Sequence, residues 1–354
     1  MSAGKGLNQL RSAVNHEGKI MKGPGTAFAR GGIHLKSIKS GDNEILIPMP
    51  QILENQVPLL YYIRCIPENG AEFSLIERDN ANHAVLVKIR GEKDSEIRIE
   101  WDAVILFYQG DESLASDTCP DIYKKASVCA QSDDKGIMEL ASRLWPDTGE
   151  TMDFLKEIQS FIKGLKPVSQ PSSLDASAML RHGVNWICTA NANLGIALLR
   201  ARNIPARSVA VIPVISQRLE MHRIIEYCTE GKWLGFDPSS LFNDIPMSPW
   251  HSVVMSTATR RDEEISMEPR LGAFPGAPYG QEAEIRTGGI ILFGTDFFWT
   301  EAFPLSEFPV SRQVLIAAGE NWRGFLSDGI TRLRAECMAD IKSSDDLLKA
   351  LSIR

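Results

Sequence analysis

The stretch from Cys188 to Leu199, CTANANLGIALL, carries no charged side chain. Its alanines, leucines and isoleucine fall on every side of a helical wheel, and a helix that is apolar all round must be buried. The chain is therefore expected to fold in layers around this helix. The spacing predicts Asn185 as the N-cap and a stop at Asn203-Ile204-Pro205, since proline cannot extend a helix and restricts the residue before it. Cys188 then stands in the first turn, where unpaired backbone N–H groups and the macrodipole favour negative charge. A thiol there ionises more readily, and the thiolate is the nucleophilic form. The plain alternative is a small apolar residue packed at a helix end.

Residues 208–214 read as a buried β-branched strand, and His222 opens another, HRIIEYCT, which turns at Glu230-Gly231 into KWLGFD. A two-residue loop at 230–231, or a four-residue loop at 229–232, pairs position 224 with position 237. Ile224 shares a face with His222 because strand side chains alternate, so Asp237 becomes the diagonal neighbour of His222. A three- or five-residue loop would turn Asp237 to the other face. The favourable register offers a thiol, an imidazole and a carboxylate to orient it, which is nucleophile, base and orienter logic.

These residues resemble the transglutaminase-like superfamily of papain-type thiol enzymes. After Cys188 come Ala192, Leu194, Ala197-Leu198-Leu199-Arg200-Ala201 and Ile204-Pro205-Ala206-Arg207 in the family's register. His222 has Glu226 four residues on, and Gly231-Lys232-Trp233 leads to Asp237-Pro238-Ser239. The resemblance covers about fifty residues in order. It implies Cys188 as nucleophile, His222 as general base and acid, and Asp237 as orienting carboxylate. Asn203 stands where the family has glycine, Ile224 where tryptophan is common, Cys228 at the tyrosine position and Ser239 for threonine. These departures bear on the substrate more than on the three reacting groups. By the same resemblance Trp145, Trp186 or the backbone N–H of Cys188 holds the oxyanion, although a tryptophan is usually core.

The expected fold is α+β, a transglutaminase-like (papain-like) core with a β-sandwich-like domain before it and a strand/helix extension after it. Residues 1–43 read as an arm or loose first strand, and 44–110 as the β-domain, with Val85, Val87 and Ile89 alternating and then Ile97, Ile99 and Trp101. Residues 111–250 form the catalytic domain. Helical spacing covers 133–144, 151–163 and 175–182, before the nucleophile. The extension, 251–354, opens with strands at 252–257 and 284–292 around a Gly/Pro-rich loop, RLGAFPGAPYGQE, and turns helical from Ser311. The tail reads as a packing or assembly element.

The formal net charge of −7, with no basic block, argues against nucleic acid as a partner. No 18-residue apolar run suits a membrane-spanning helix. Six cysteines without a CxxC pair and an N-terminus without an apolar signal core fit the cytosol, or an exported chain whose signal has been removed. The six histidines form no HExxH, so no metal or cofactor is expected. Glu226 is expected beside the site or in an ion pair, Arg200 and Arg207 near the helix end, and His251 in core or surface. The expected chemistry is cleavage of a peptide or amide by a peptidase/amidase. The alternatives are transfer to an amine acceptor by an acyltransferase, or a non-catalytic scaffold of the same shape.

Overall fold

The computed structural model describes residues 20–38, 41–66, 71–77, 82–91, 95–109, 119–167, 174–185, 187–215, 218–219, 222–258, 284–285, 298–326 and 342–352. Trp186 and the Gly/Pro-rich stretch 270–282 lie outside them, as does most of the strand expected at 284–292.

Six strands come first: β1 (Gly25–Ile38), β2 (Gly41–Pro48), β3 (Gln56–Ile66), β4 (Ala71–Glu77), β5 (His83–Gly91) and β6 (Ser95–Phe107). They divide between two antiparallel sheets. Val85, Val87 and Ile89 of one sheet and Ile97, Ile99, Trp101, Ala103 and Ile105 of the other fill a common core, which is the period-two pattern buried between two sheets. Two strand assignments cross the expected boundaries. β1, inside the segment read as an arm or loose first strand, pairs along its length with β6. A strand from far down the chain, Phe298–Glu307, pairs with its other edge. The signal at 25–38 is weak because its glycines break the alternation, and the pairing that defines it is non-local.

The helices α1 (Lys135–Leu144), α2 (Thr151–Gly164), α3 (Ala176–His182) and α4 (Cys188–Ala201) follow. Asp134 caps α1 by accepting from the backbone N–H of Gly136 and Ile137, and Asp175 caps α3 by accepting from Ala178. Ile137, Leu140, Phe154, Leu155, Ile158 and Met179 turn onto α4, whose side chains are buried from Thr189 to Arg200. Arg200, 3% exposed, ends the helix by donating to the carbonyls of Ala206 and Lys125.

Behind α4 lies a third antiparallel sheet, of four strands, β7 (Ala206–Pro213), β8 (His222–Thr229), β9 (Lys232–Phe236) and β10 (Ser252–Thr257), in the order β9-β8-β7-β10. Thus β10, expected to open the extension, completes the sheet of the preceding domain. Its outer edge meets side-chain amides from the β-domain. Gln56 bonds the N–H and C=O of Val254, Asn82 does the same for Thr257, and Gln51 donates to Met255. These amides satisfy an edge that would otherwise be open to strand addition. The C-terminal helices α5 (Arg312–Leu326) and α6 (Ser344–Ser352) place Val314, Leu315, Ala318 and Leu347 against the outer face of the β1-containing sheet.

Candidate active site

Helix α4 begins at Cys188, and its N-cap is Ile187, in extended conformation with no side-chain cap. Asn185 does not cap it; its amide donates to the carbonyl of Ile162 at the end of α2. No capping side chain therefore competes for the N–H groups of the turn that carries the thiol.

The β8–β9 hairpin closes with two residues, Glu230 at φ 50° and Gly231 at φ 73°, the positive-φ pair of a tight hairpin turn. Thr229 therefore pairs with Lys232, and Ile225 with Phe236. One step further this register sets position 224 against 237, and it puts Asp237 within reach of His222. The imidazole Nε2 lies 3.1 Å from Asp237 Oδ1. That commitment leaves the other ring nitrogen free of Asp237, and His222 is coupled electrostatically to Cys188 as well.

Asp237, 1% exposed, is held from several sides. Its Oδ1 also accepts from the Ser239 N–H at 2.8 Å, and its Oδ2 accepts from the Phe242 N–H at 3.0 Å. The Gln159 amide, from α2, donates to the carbonyls of Asp237 and Phe242. These donors fix the carboxylate in orientation.

The electrostatics couple the thiol and the ring. Burial pushes the Cys188 thiol up, but the hydrogen bond and charge of His222, the charge of Arg223 and the Arg223 backbone N–H outweigh it and hold the thiol below its ordinary value. Burial pulls the His222 imidazole down, but its bonds to Asp237 and Cys188 and their charges push it up to about 10. The two shifts run in the directions that favour a thiolate beside an imidazolium.

The other candidates fall elsewhere. Trp145 packs on Phe154 at 5.0 Å between ring centres, with the Arg202 guanidinium 4.4 Å from its ring. Arg202 caps the far end of α4, about 21 Å from Cys188 at about 1.5 Å per residue, so Trp145 cannot serve the thiol. Glu226 forms an ion pair at 2.8 Å with Arg207, which lies 4.1 Å over Trp233. His251 pairs with Asp244 at 3.1 Å and stacks on Phe242 at 5.1 Å. Among the described residues, no cluster suited to a metal ion occurs.

Two features had no sequence signal. Gln159 could be read only as a polar residue on a helix, and its role depends on the loop that α2 meets. Cys119 and Cys228, which belong to no CxxC pair, are paired as a disulfide with Cα atoms 6.2 Å apart. They are separated by 109 residues, so no local spacing announces them. Beside them a groove of about 470 Å³ is lined by Pro120, Asp121, Lys124, Asn203, Pro205 and Gly231. It adjoins the C-terminal end of α4, away from Cys188.

Residues 139–238 match the family model described as the transglutaminase-like superfamily. No curated protein matches the chain. Among solved structures, one of a provisionally assigned cysteine protease from Cytophaga hutchinsonii superposes with a TM-score of 0.55 at 16% identity, covering 79% of this chain and 98% of the other. At that identity the likeness concerns the fold. A provisionally assigned protease from Parabacteroides distasonis aligns over 60% of this chain and 63% of its own at 12% identity, but its TM-score of 0.23 carries no argument.

Proposed function

We propose, from the premise that residues 139–238 belong to the transglutaminase-like superfamily, that this chain is a thiol enzyme cleaving amide bonds through Cys188, His222 and Asp237. The observation that supports the reading is His222, 3.1 Å from Asp237 through its Nε2 and coupled electrostatically to Cys188, at the uncapped start of a buried helix. In this mechanism the Cys188 thiolate attacks the substrate carbonyl carbon and forms a C–S bond. The oxyanion rests against backbone N–H groups of the first turn of α4. The His222 imidazolium gives its proton to the departing nitrogen as the C–N bond breaks, leaving an acyl-enzyme. The neutral ring then takes a proton from water, which attacks the thioester, releases the acid and restores the thiolate. Asp237 keeps the ring oriented throughout and stabilises its charged form.

An amine in place of water would make the same site an acyltransferase. The test presents a library of internally quenched peptides to the full chain, with and without cadaverine, and searches Cys188 for acyl adducts by mass spectrometry. Peptide cleavage and a Cys188 adduct, both lost in Cys188→Ala, support the thiol enzyme. Incorporation of cadaverine into product identifies transfer. Turnover that survives Cys188→Ala overturns the reading, and absence of both adduct and turnover across the library favours a scaffold.

A further inference from the structure

Two asparagines interrupt the apolar helix α4, and both are buried: Asn191 is 4% exposed and Asn193 3%. Asn193 has a structural task, donating to the carbonyl of Leu174 where the chain enters α3. Asn191 points elsewhere. It stands three residues after Cys188, on the same face of the helix one turn along. Its Nδ2 donates to the Ser239 hydroxyl at 3.1 Å. The backbone N–H of Ser239 is one of the two that bind the Asp237 carboxylate, at 2.8 Å on the same Oδ1 that meets His222. The other polar atom of Asn191, Oδ1, is buried with no hydrogen-bond partner among the described residues. A half-satisfied amide inside an apolar helix costs stability, so packing alone does not account for it.

We infer that Asn191 is a positioning residue for the thiol site, tying the helix that carries Cys188 to the loop that carries Asp237 through the hydroxyl of Ser239. This rests on the proposed roles of Cys188, His222 and Asp237. The bond closes a circuit: thiol to imidazole, imidazole to carboxylate, carboxylate to the Ser239 N–H, Ser239 hydroxyl to Asn191, and one helical turn back to the thiol. Without it, the 237–242 loop loses a direct side-chain hydrogen bond to α4, while Gln159 still holds the loop from α2. Small relative shifts of the two elements would then lengthen the Cys188–His222 contact, and the thiolate would lose its partner.

The experiment measures Cys188 alkylation by iodoacetamide against pH, by peptide mass spectrometry on the full chain, so no substrate need be known. Asn191→Ala and Ser239→Ala should each move the acid limb of the profile upward, slowing alkylation near neutral pH by about threefold to tenfold. Their combination should be no slower than either alone, because both remove the same bond. Ser239→Thr, which keeps the hydroxyl, should restore the wild-type limb. Asn193→Ala should lower the melting temperature and leave the limb in place. An unmoved limb in folded Asn191→Ala overturns the inference, as do effects of Asn191→Ala and Ser239→Ala that multiply. Should Asn191→Ala fail to fold, the Ser239 pair decides alone. His222→Ala separates the two levels: if it moves the limb and Asn191→Ala does not, only the positioning role fails. If His222→Ala leaves the limb unmoved, the thiolate–imidazolium pair itself is wrong.

Discussion

Gly195 meets Ile225 so closely that a β-carbon added to the glycine would stand 2.5 Å from the isoleucine Cδ1. This contact sets how deeply α4 sinks onto β8, and so how near its first residue comes to the strand that begins at His222. Gly195→Ala gains about 1 kcal/mol of helix propensity, but the overpacking costs about 1–3 kcal/mol, so net destabilisation is expected. Ile225→Val removes the atom that collides and by itself costs about 0.5–1.5 kcal/mol. The double variant should be more stable than Gly195→Ala, which a denaturant-melt cycle will show. Simple addition of the two losses would mean that the glycine does not set the spacing.

The His222–Asp237 bond gives stability a pH signature. In the folded protein burial lowers the His222 pKa, but its bonds and the charges of Asp237 and Cys188 raise it from 6.5 to about 10. A raised folded-state pKa contributes stability that is whole below about pH 6.5 and disappears as the pH climbs through about 10. The Cys188 thiolate contributes with the opposite sign, losing its part as pH falls through its depressed value. Asp237→Asn removes the largest anionic support of the ring. The gap in melting temperature between wild type and this variant should be widest near pH 6.5 and close towards pH 10. A constant gap would sink the assignment. Turnover, once a substrate is in hand, should fall on the order of 10²–10⁴-fold.

What could be read from the sequence was local. The apolar run of α4, the periodicity of α1 and α2, the short helix at 175–182 and the Glu230-Gly231 turn each rest on residues within a few positions of one another. The hairpin register followed from that turn and carried Asp237 to the face of His222. What could not be read was set by partners far along the chain. The pairing of β1 with a strand about 280 residues later, Thr26 opposite Ser306 for example, has no local signature. The same holds for Gln159 beneath the Asp237 loop and for the Asn191–Ser239 bond. Asn185 failed as a cap for a related reason: a tertiary contact with Ile162 outbid the local preference.

The Cys119–Cys228 disulfide spans 109 residues and fastens the segment before Tyr123 to β8. Tyr123 in turn packs edge-on against Trp233 at 5.6 Å and donates to the carbonyl of Ala258. Loop closure of that length restricts the unfolded chain by about 4–5 kcal/mol in the entropic account. Dithiothreitol should therefore lower the melting temperature of the wild type by several degrees and leave Cys119→Ser unmoved. Equal melting curves with and without reductant would show that the two sulfurs do not form a bond that matters.

At the opposite edge of the same sheet, Asn82 does the work of a neighbouring strand for Thr257. Its Nδ2 donates to the Thr257 carbonyl at 2.8 Å and its Oδ1 accepts from the Thr257 N–H at 2.9 Å. Asn82→Ala would strand two backbone groups of a residue that is 5% exposed, at about 1–3 kcal/mol for each unsatisfied group. Asn82→Asp keeps the acceptor, loses the donor and sets a carboxylate against a carbonyl, so it should be at least as damaging despite its shape. Both variants should raise amide hydrogen exchange at Thr257 before β8 is affected, since β10 lies outermost in the sheet. If exchange rises equally at Thr257 and at Ile225, the β-domain supports the whole site sheet and its edge clamp has no separate role.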